Sequence, residues 1–253
     1  MEPLQFLALF AGGMVAGVIN VMAGGAGFMT FPLLIATGLN EMEANACNFV
    51  ALLPANVVGT AVYRRELREV REHLLTRVVL ALVGGALGSW LFVWLGEASF
   101  EAAIPWLLVF ATLSFALGPW VRERLQGSAG FDARRWVGVS FLLEFVVYLY
   151  GGYFGLGMGI ILLAIHSIFS HMSVHHANAL RNLTVTAMTL VGIGVFVSAG
   201  LVRWGHSFAM MGGTIVGGYV TAHFARRVPA AKVRLGILAW SILLTGWSFW
   251  RYA

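Results

Sequence analysis

Two apolar runs in this chain are each cut by a cluster of glycines. One is Gly24-Gly25-Ala26-Gly27-Phe28-Met29-Thr30-Phe31-Pro32, and the other is Gly155-Leu156-Gly157-Met158-Gly159-Ile160-Ile161. Glycine weakens a helix and permits close backbone approach, and a helix break leaves amide and carbonyl groups without helical partners. At membrane depth such backbone persists only where protein buries it or a cavity hydrates it. Two breaks at corresponding places in two halves therefore predict a transport site.

Apolar residues make up 59% and charged residues 11% of the sequence, with mean hydropathy +0.83. This is the profile of a multi-span membrane protein, and spans of about 20 residues each consume nearly the whole length. Cys47 is the only cysteine, which excludes an intramolecular disulfide, a CxxC pair and a thiolate metal cluster. The first 23 residues lack a basic n-region and are expected to be a first membrane segment, not a cleaved signal. The net charge of +5 comes from arginines in short loops, which points to membrane orientation and not to nucleic acid.

Along the chain, residues 4–23 form the first segment, and 28–39 a piece of about 18 Å that half-crosses a ~30 Å core. Glu41 and Glu43 are expected in an aqueous loop, followed by a span over 44–63 holding Pro54, a basic loop at 64–77, and spans near 75–96 and 102–121. The polar stretch around Gly127-Ser128-Ala129-Gly130 is the half boundary. It gives a first transmembrane repeat at 1–125, a cytoplasmic linker at 126–134 and a second repeat at 135–253.

The second half reads as a copy of the first. At a shift of 133, Ala44-Asn45-Ala46 falls on Ala177-Asn178-Ala179, Gly59 on Gly192 and Gly84-Gly85 on Gly217-Gly218; at 132, Gly25 falls on Gly157 and Gly27 on Gly159. One inserted residue near 170–174 accounts for the change of register. Matching loops carry opposite charge bias, as inverted repeats would. That reading puts thirteen basic residues on the cytoplasmic side, at 64–77, 122–135 and 226–234, and leaves Arg203 and Arg251 outside. Eight plain spans in parallel repeats are the rival, with eleven against four. The expected fold is an all-α polytopic membrane protein of two inverted repeats, each a glycine-broken helical hairpin plus about three spanning helices, eight to ten segments in total.

The glycine-rich break followed by Pro32, the downstream Ala-Asn-Ala motif, the second break at 151–159 and the two-repeat layout resemble the TauE/SafE family of sulfite and organosulfonate exporters. The resemblance spans nearly the whole chain and implies a multi-pass permease of a bacterial inner membrane for sulfite, sulfonates or related anions. Leu156 and Met158 interrupt the second glycine run, and Ala164 stands where Pro32 stands in the first half.

Glu144 and Arg181 lie where the pattern predicts hydrocarbon, at a cost of about 2.5–3.5 kcal/mol each on insertion scales, so each needs a partner and usually has a function. They are expected to pair with each other. One reading is a buried pair that fixes packing; the other gives Arg181 to an anionic substrate, for which its forked donors suit an oxyanion, and makes Glu144 the candidate for a coupling proton. Asn48 aligns with Arg181, and Asn45 with Asn178. The expected binding set is Gly24, Gly25, Gly27, Asn45, Asn48, Gly155, Gly157, Gly159, Asn178, Arg181 and Asn182, with free amides at the start of a short helix after each break. Helix-packing asparagines are the alternative. His166, His171, His175 and His176 invite a metal or proton-relay reading, but the last three fall in or beside a loop, and neither a metal nor a cofactor is expected. The nine tryptophans read as interfacial anchors.

The function that follows is secondary transport of a small anion at the repeat interface, with the bilayer and protons as further partners, no nucleic acid, and a homodimer as one oligomeric option. An anion channel and a carrier of a non-sulfur organic anion are the alternatives. An intramembrane hydrolase lacks GxSxG and any evident base for Ser89.

Overall fold

The computed structural model describes residues 2–22, 25–70, 73–126, 136–169, 172–224 and 230–252, with backbone alone at 21–22, 122, 125–126, 174, 221–224 and 230–232. Gly24, Arg71, His171, Arg135, Arg226, Arg227 and all of the expected 126–134 linker except Gln126 lie outside the described residues. Those residues form ten helices and no strand: α1 (Pro3–Met22), α2 (Gly27–Ala36), α3 (Glu41–Val62), α4 (Arg64–Glu69), α5 (Leu74–Gln126), α6 (Val137–Tyr153), α7 (Met158–Phe169), α8 (Val174–Ser198), α9 (Trp204–Phe224) and α10 (Ala230–Tyr252). Five of them, α1, α3, α5, α8 and α10, are long and apolar enough to cross a membrane. α5 is two such helices joined at Gly96, whose φ of 74° turns the chain back.

The short helices behave as their lengths require. α2 has ten residues, about 15 Å of helix, and its end returns to the start of α1, where Gln5 donates to the Thr37 carbonyl at 3.1 Å. Pro32 has no N–H, so the Phe28 carbonyl four residues earlier has no helical donor. The indole of Trp240 in α10 fills that position at 2.9 Å. α5 repeats the device: Pro119 frees the Phe115 carbonyl, and Arg234 donates to it at 2.9 Å and to Ala116 at 3.2 Å.

Two expectations about loops are overturned. Glu41 and Glu43 are not in a loop but form the first turn of α3, capped by Asn40, whose side chain accepts from the Glu43 amide at 2.8 Å; carboxylates there complement the helix dipole. Arg77 likewise lies inside α5 and is only 3% exposed. The apolar run already begins at Leu74, so this arginine enters with its helix.

α3 and α8 cross at the centre, α1 packs along α9, and the first part of α5 packs along α6. The last two crossings bring backbones together: a Cβ on Gly17 would stand 2.3 Å from the Thr214 carbonyl, and one on Gly88 2.1 Å from the Leu149 carbonyl. One end of the bundle gathers the starts of α1 and α3, the turn at Gly96 and the ends of α8 and α10. There Glu43 accepts from Arg203 at 2.5 Å and Glu41 from Arg251 at 3.1 Å and from the Tyr252 hydroxyl. The opposite end gathers α4 and the starts of α6 and α8, with Glu69 meeting His176 at 2.8 Å and His73 edge-on to Phe141. His175 and His176 therefore sit in the first turn of α8, beside the loop anticipated for them. All nine tryptophans are exposed on the outer surface.

Candidate functional site

The two breaks face each other. Gly25 has φ 83°, Gly155 81° and Gly157 78°, a left-handed conformation that costs other residues about 1–2 kcal/mol. At Gly27 a Cβ would lie 3.1 Å from Leu156 of the other break and 3.5 Å from Asn48. Between them and the α3/α8 crossing lies a cavity of about 120 Å³. Its wall is built from matched positions of the two halves: Gly25 and Gly157, Gly27 and Gly159, Asn48 and Arg181, Leu52 and Val185, Asn56 and Thr189. Gly155 and Asn20 complete its polar lining.

Arg181 is the cation of this wall. Its guanidinium donates to Asn182 Oδ1 at 2.9 Å, and among the described residues it makes no ion pair. Asn182 thus orients the arginine from behind and does not line the cavity. Across from it, Thr30 donates to Asn48 Oδ1 at 2.5 Å. With its oxygen engaged, the Asn48 amide has its N–H donors to offer.

Not every anticipated residue is here. Asn45 is fully buried and donates to the Tyr153 carbonyl at 3.1 Å, tying α3 to the end of α6. Asn178 does not line the cavity. The amides after each break are partly engaged locally: Phe28 and Met29 donate to Gly25 and Ala26 at 3.1 and 2.9 Å, Met158 and Ile160 to Gly155 and Gly157 at 3.4 and 3.2 Å. Asn20, Asn56 and Thr189 were missed, although the i, i+4, i+8 series 48, 52, 56 and 181, 185, 189 marks one face of each helix.

The expected pair of Glu144 with Arg181 does not form. Glu144 is fully buried and meets Arg77 at 3.3 Å and His166 at 3.6 Å, with Ser140 donating to it at 2.8 Å. Assigning Arg77 to a loop hid its true partner, since a loop arginine is solvated and needs none.

An edge-to-face aromatic layer runs from the cavity to the turn at Gly96. Phe92 and Phe100 flank that turn with ring centroids 4.6 Å apart; Phe100 reaches Phe154 at 5.9 Å, Phe92 reaches Phe196 at 5.3 Å, and Phe196 reaches Phe49 at 5.0 Å. Phe49 and Phe154 themselves line the cavity.

The sequence model of the family described as "Sulfite exporter TauE/SafE" matches residues 9–247. A probable membrane transporter protein of Escherichia coli, YfcA, is 26% identical over 220 residues, which are 86% of this chain and 79% of that protein. A probable membrane transporter protein of Haemophilus influenzae is 23% identical over 237 residues, 94% and 91% of the two chains. One from Sinorhizobium, ORF9, is 25% identical over 238 residues, 93% and 89%. No solved structure matches. With the family match running through both glycine breaks, the α3/α8 crossing and all but the ends of the chain, this multi-pass membrane protein belongs to the TauE/SafE family.

Proposed function

We propose that this chain is a secondary membrane transporter that carries a small sulfur oxyanion, sulfite or a sulfonate, through the cavity between two inverted halves. The observation that carries the reading is Arg181: a guanidinium without a carboxylate partner among the described residues, facing a cavity walled by two broken hairpins. A forked cation suits a planar or pyramidal oxyanion, and the Asn48 amide and the starts of α2 and α7 add donors and the positive ends of two dipoles. The family's description, sulfite exporter, supports the substrate class. The paired lining positions and the opening of the two hairpins toward opposite ends of the bundle support inverted repeats. The aromatic layer beyond Phe49 and Phe154 favours a carrier over an open channel.

The test is a thermal-shift screen of the purified protein against sulfite, sulfate, thiosulfate, methanesulfonate and carboxylates, followed by counterflow in liposomes. Selective binding stabilises the folded state. Stabilisation by sulfur oxyanions and counterflow of the same anion are expected. Stabilisation by carboxylates alone would reassign the substrate, and flux without counterflow or saturation would make the protein a channel.

A further inference from the structure

The α1–α2 hairpin with α9 is an internal control for the buried charges of the α6–α7 hairpin with α5. At the repeat shifts Glu144 corresponds to Gly12, His166 to Leu34 and Arg77 to Met210. The elements that carry these counterparts also pack together: Gly12 meets Leu33 of α2, the adjacent Gly13 meets the Met210 carbonyl of α9, and Leu34 and Met210 are fully buried. The α1–α2 hairpin and the α9 helix beside it therefore pack with glycine, leucine and methionine where the α6–α7 hairpin and the α5 helix beside it have glutamate, histidine and arginine. The architecture does not need the charges, whose burial is costly.

We propose that Arg77, Glu144 and His166 form the proton-coupling site of the transporter. The proposal rests on the carrier reading above and adds its driving ion. Arg77 and an ionised Glu144 cancel, so with a neutral imidazole the triad has no net charge; one added proton, held between Glu144 Oε2 and His166 Nε2 3.6 Å apart, makes it +1. Coupled groups at this distance share a proton as a pair. Among the described residues facing the pair, α5 supplies Arg77, α6 supplies Ser140 and the Tyr148 hydroxyl, and α8 turns the Ala177 backbone toward the imidazole.

Burial then turns proton binding into a conformational signal. Glu144 and His166 are fully buried and Arg77 is 3% exposed, so a proton can exchange with water only when the α6–α7 hairpin shifts. That hairpin also carries Gly155, Gly157 and Gly159 of the cavity wall, and His166 stands seven residues beyond Gly159, about 10 Å along α7. Movement that hydrates the triad must move the wall that holds the anion.

The experiment uses the full chain in liposomes with the membrane potential clamped, and methanesulfonate and sulfate as probes, whose charges are constant between about pH 5 and pH 8. Counterflow at equal pH reports the carrier itself. For the parent protein a gradient of one pH unit is expected to change the steady-state gradient of the anion about tenfold, the value for one proton per cycle. In Glu144→Gln and His166→Gln the ratio of gradient-driven uptake to counterflow falls about tenfold. The triple variant Arg77→Met, Glu144→Gly, His166→Leu, which copies Met210, Gly12 and Leu34 and strands no charge, is expected to fold and to lose the pH response. Counterflow in the parent without any pH response would overturn the proton site and leave the carrier standing, as would a folded triple variant that responds like the parent. Absence of counterflow for both probes would remove the carrier reading and the proton site together.

Discussion

Arg181 and Gly25 carry the sharpest expectations because each has a control beside it. Arg181→Lys keeps the charge and loses the fork, and a charge-assisted hydrogen bond contributes about 1.5–3 kcal/mol, so anion affinity should fall between about tenfold and a hundredfold in titration calorimetry while the melting temperature stays near the parent's. Equal affinity would mean the anion does not meet the guanidinium. At Gly25 an alanine must adopt φ 83° and bring its Cβ to 2.8 Å from the Phe115 ring. At Gly159 the same methyl meets Arg181 only at ordinary contact distance, Cδ at 3.7 Å and the guanidinium Nη1 at 3.8 Å, with no positive φ. Gly25→Ala is therefore expected to lower stability by about 1–2 kcal/mol or more, and Gly159→Ala to be tolerated. The pair of melting curves separates backbone strain from mere bulk.

The clearest dependence of one element on another is the carbonyl that Pro32 leaves in α2 and the indole that fills it from α10. Trp240→Phe removes the donor and leaves the Phe28 carbonyl unsatisfied, at about 1–3 kcal/mol. Pro32→Ala restores a helical N–H to the same oxygen, so the cost of Trp240→Phe should shrink in that background. A double-mutant cycle in denaturant measures the coupling, and additive effects would show that the indole acts through packing alone. The aromatic layer offers a second expectation. Phe100 is fully buried against Phe31, Phe92, Phe154 and Tyr153, and Phe100→Ala should cost about 3–5 kcal/mol. If it also lets the probe anion leak at equal concentration on both sides, the layer is the seal of the cavity; full stability without leak would remove both roles.

At the scale of the molecule, orientation follows from charge. With Arg77 inside α5, twelve basic residues remain in the segments assigned to the cytoplasm against Arg203 and Arg251 outside, and positive residues stay cytoplasmic. Single cysteines at Glu69 and Ser173 should label from the cytoplasm and ones at Glu97 and Gly200 from the far side, in a Cys47→Ala background. Labelling of 69 and 200 from one side would exclude the inverted arrangement. At the end of the bundle that holds Gly200, Arg203 of the Glu43–Arg203 pair is half-exposed, and loss of the pair should leave stability nearly unchanged.

Much of this was legible in one dimension. Glycines in apolar runs, the 132 and 133 shifts and the length of each segment predicted two broken hairpins and long helices, because hydrophobic length and backbone satisfaction in lipid are local constraints that each segment meets by itself. Arg181 could be named as a candidate from its charge in an apolar run, the break glycines from their clustering, and Asn48 from the 133 shift, and all but Gly24, outside the described residues, line the cavity. Pairing was another matter. Proline shows that the Phe28 carbonyl lacks a donor, yet that residue 240 supplies it depends on where α10 lands. Glu144 and Arg181 shared an apolar background and looked like partners, but Glu144 meets Arg77 and His166 while Arg181 meets Asn182 and lines the cavity. Only the packing of α6 between α5 and α7 brought Arg77 and His166 to the carboxylate, because a buried charge takes its partner from the neighbouring helix, whose side-chain directions no local pattern records.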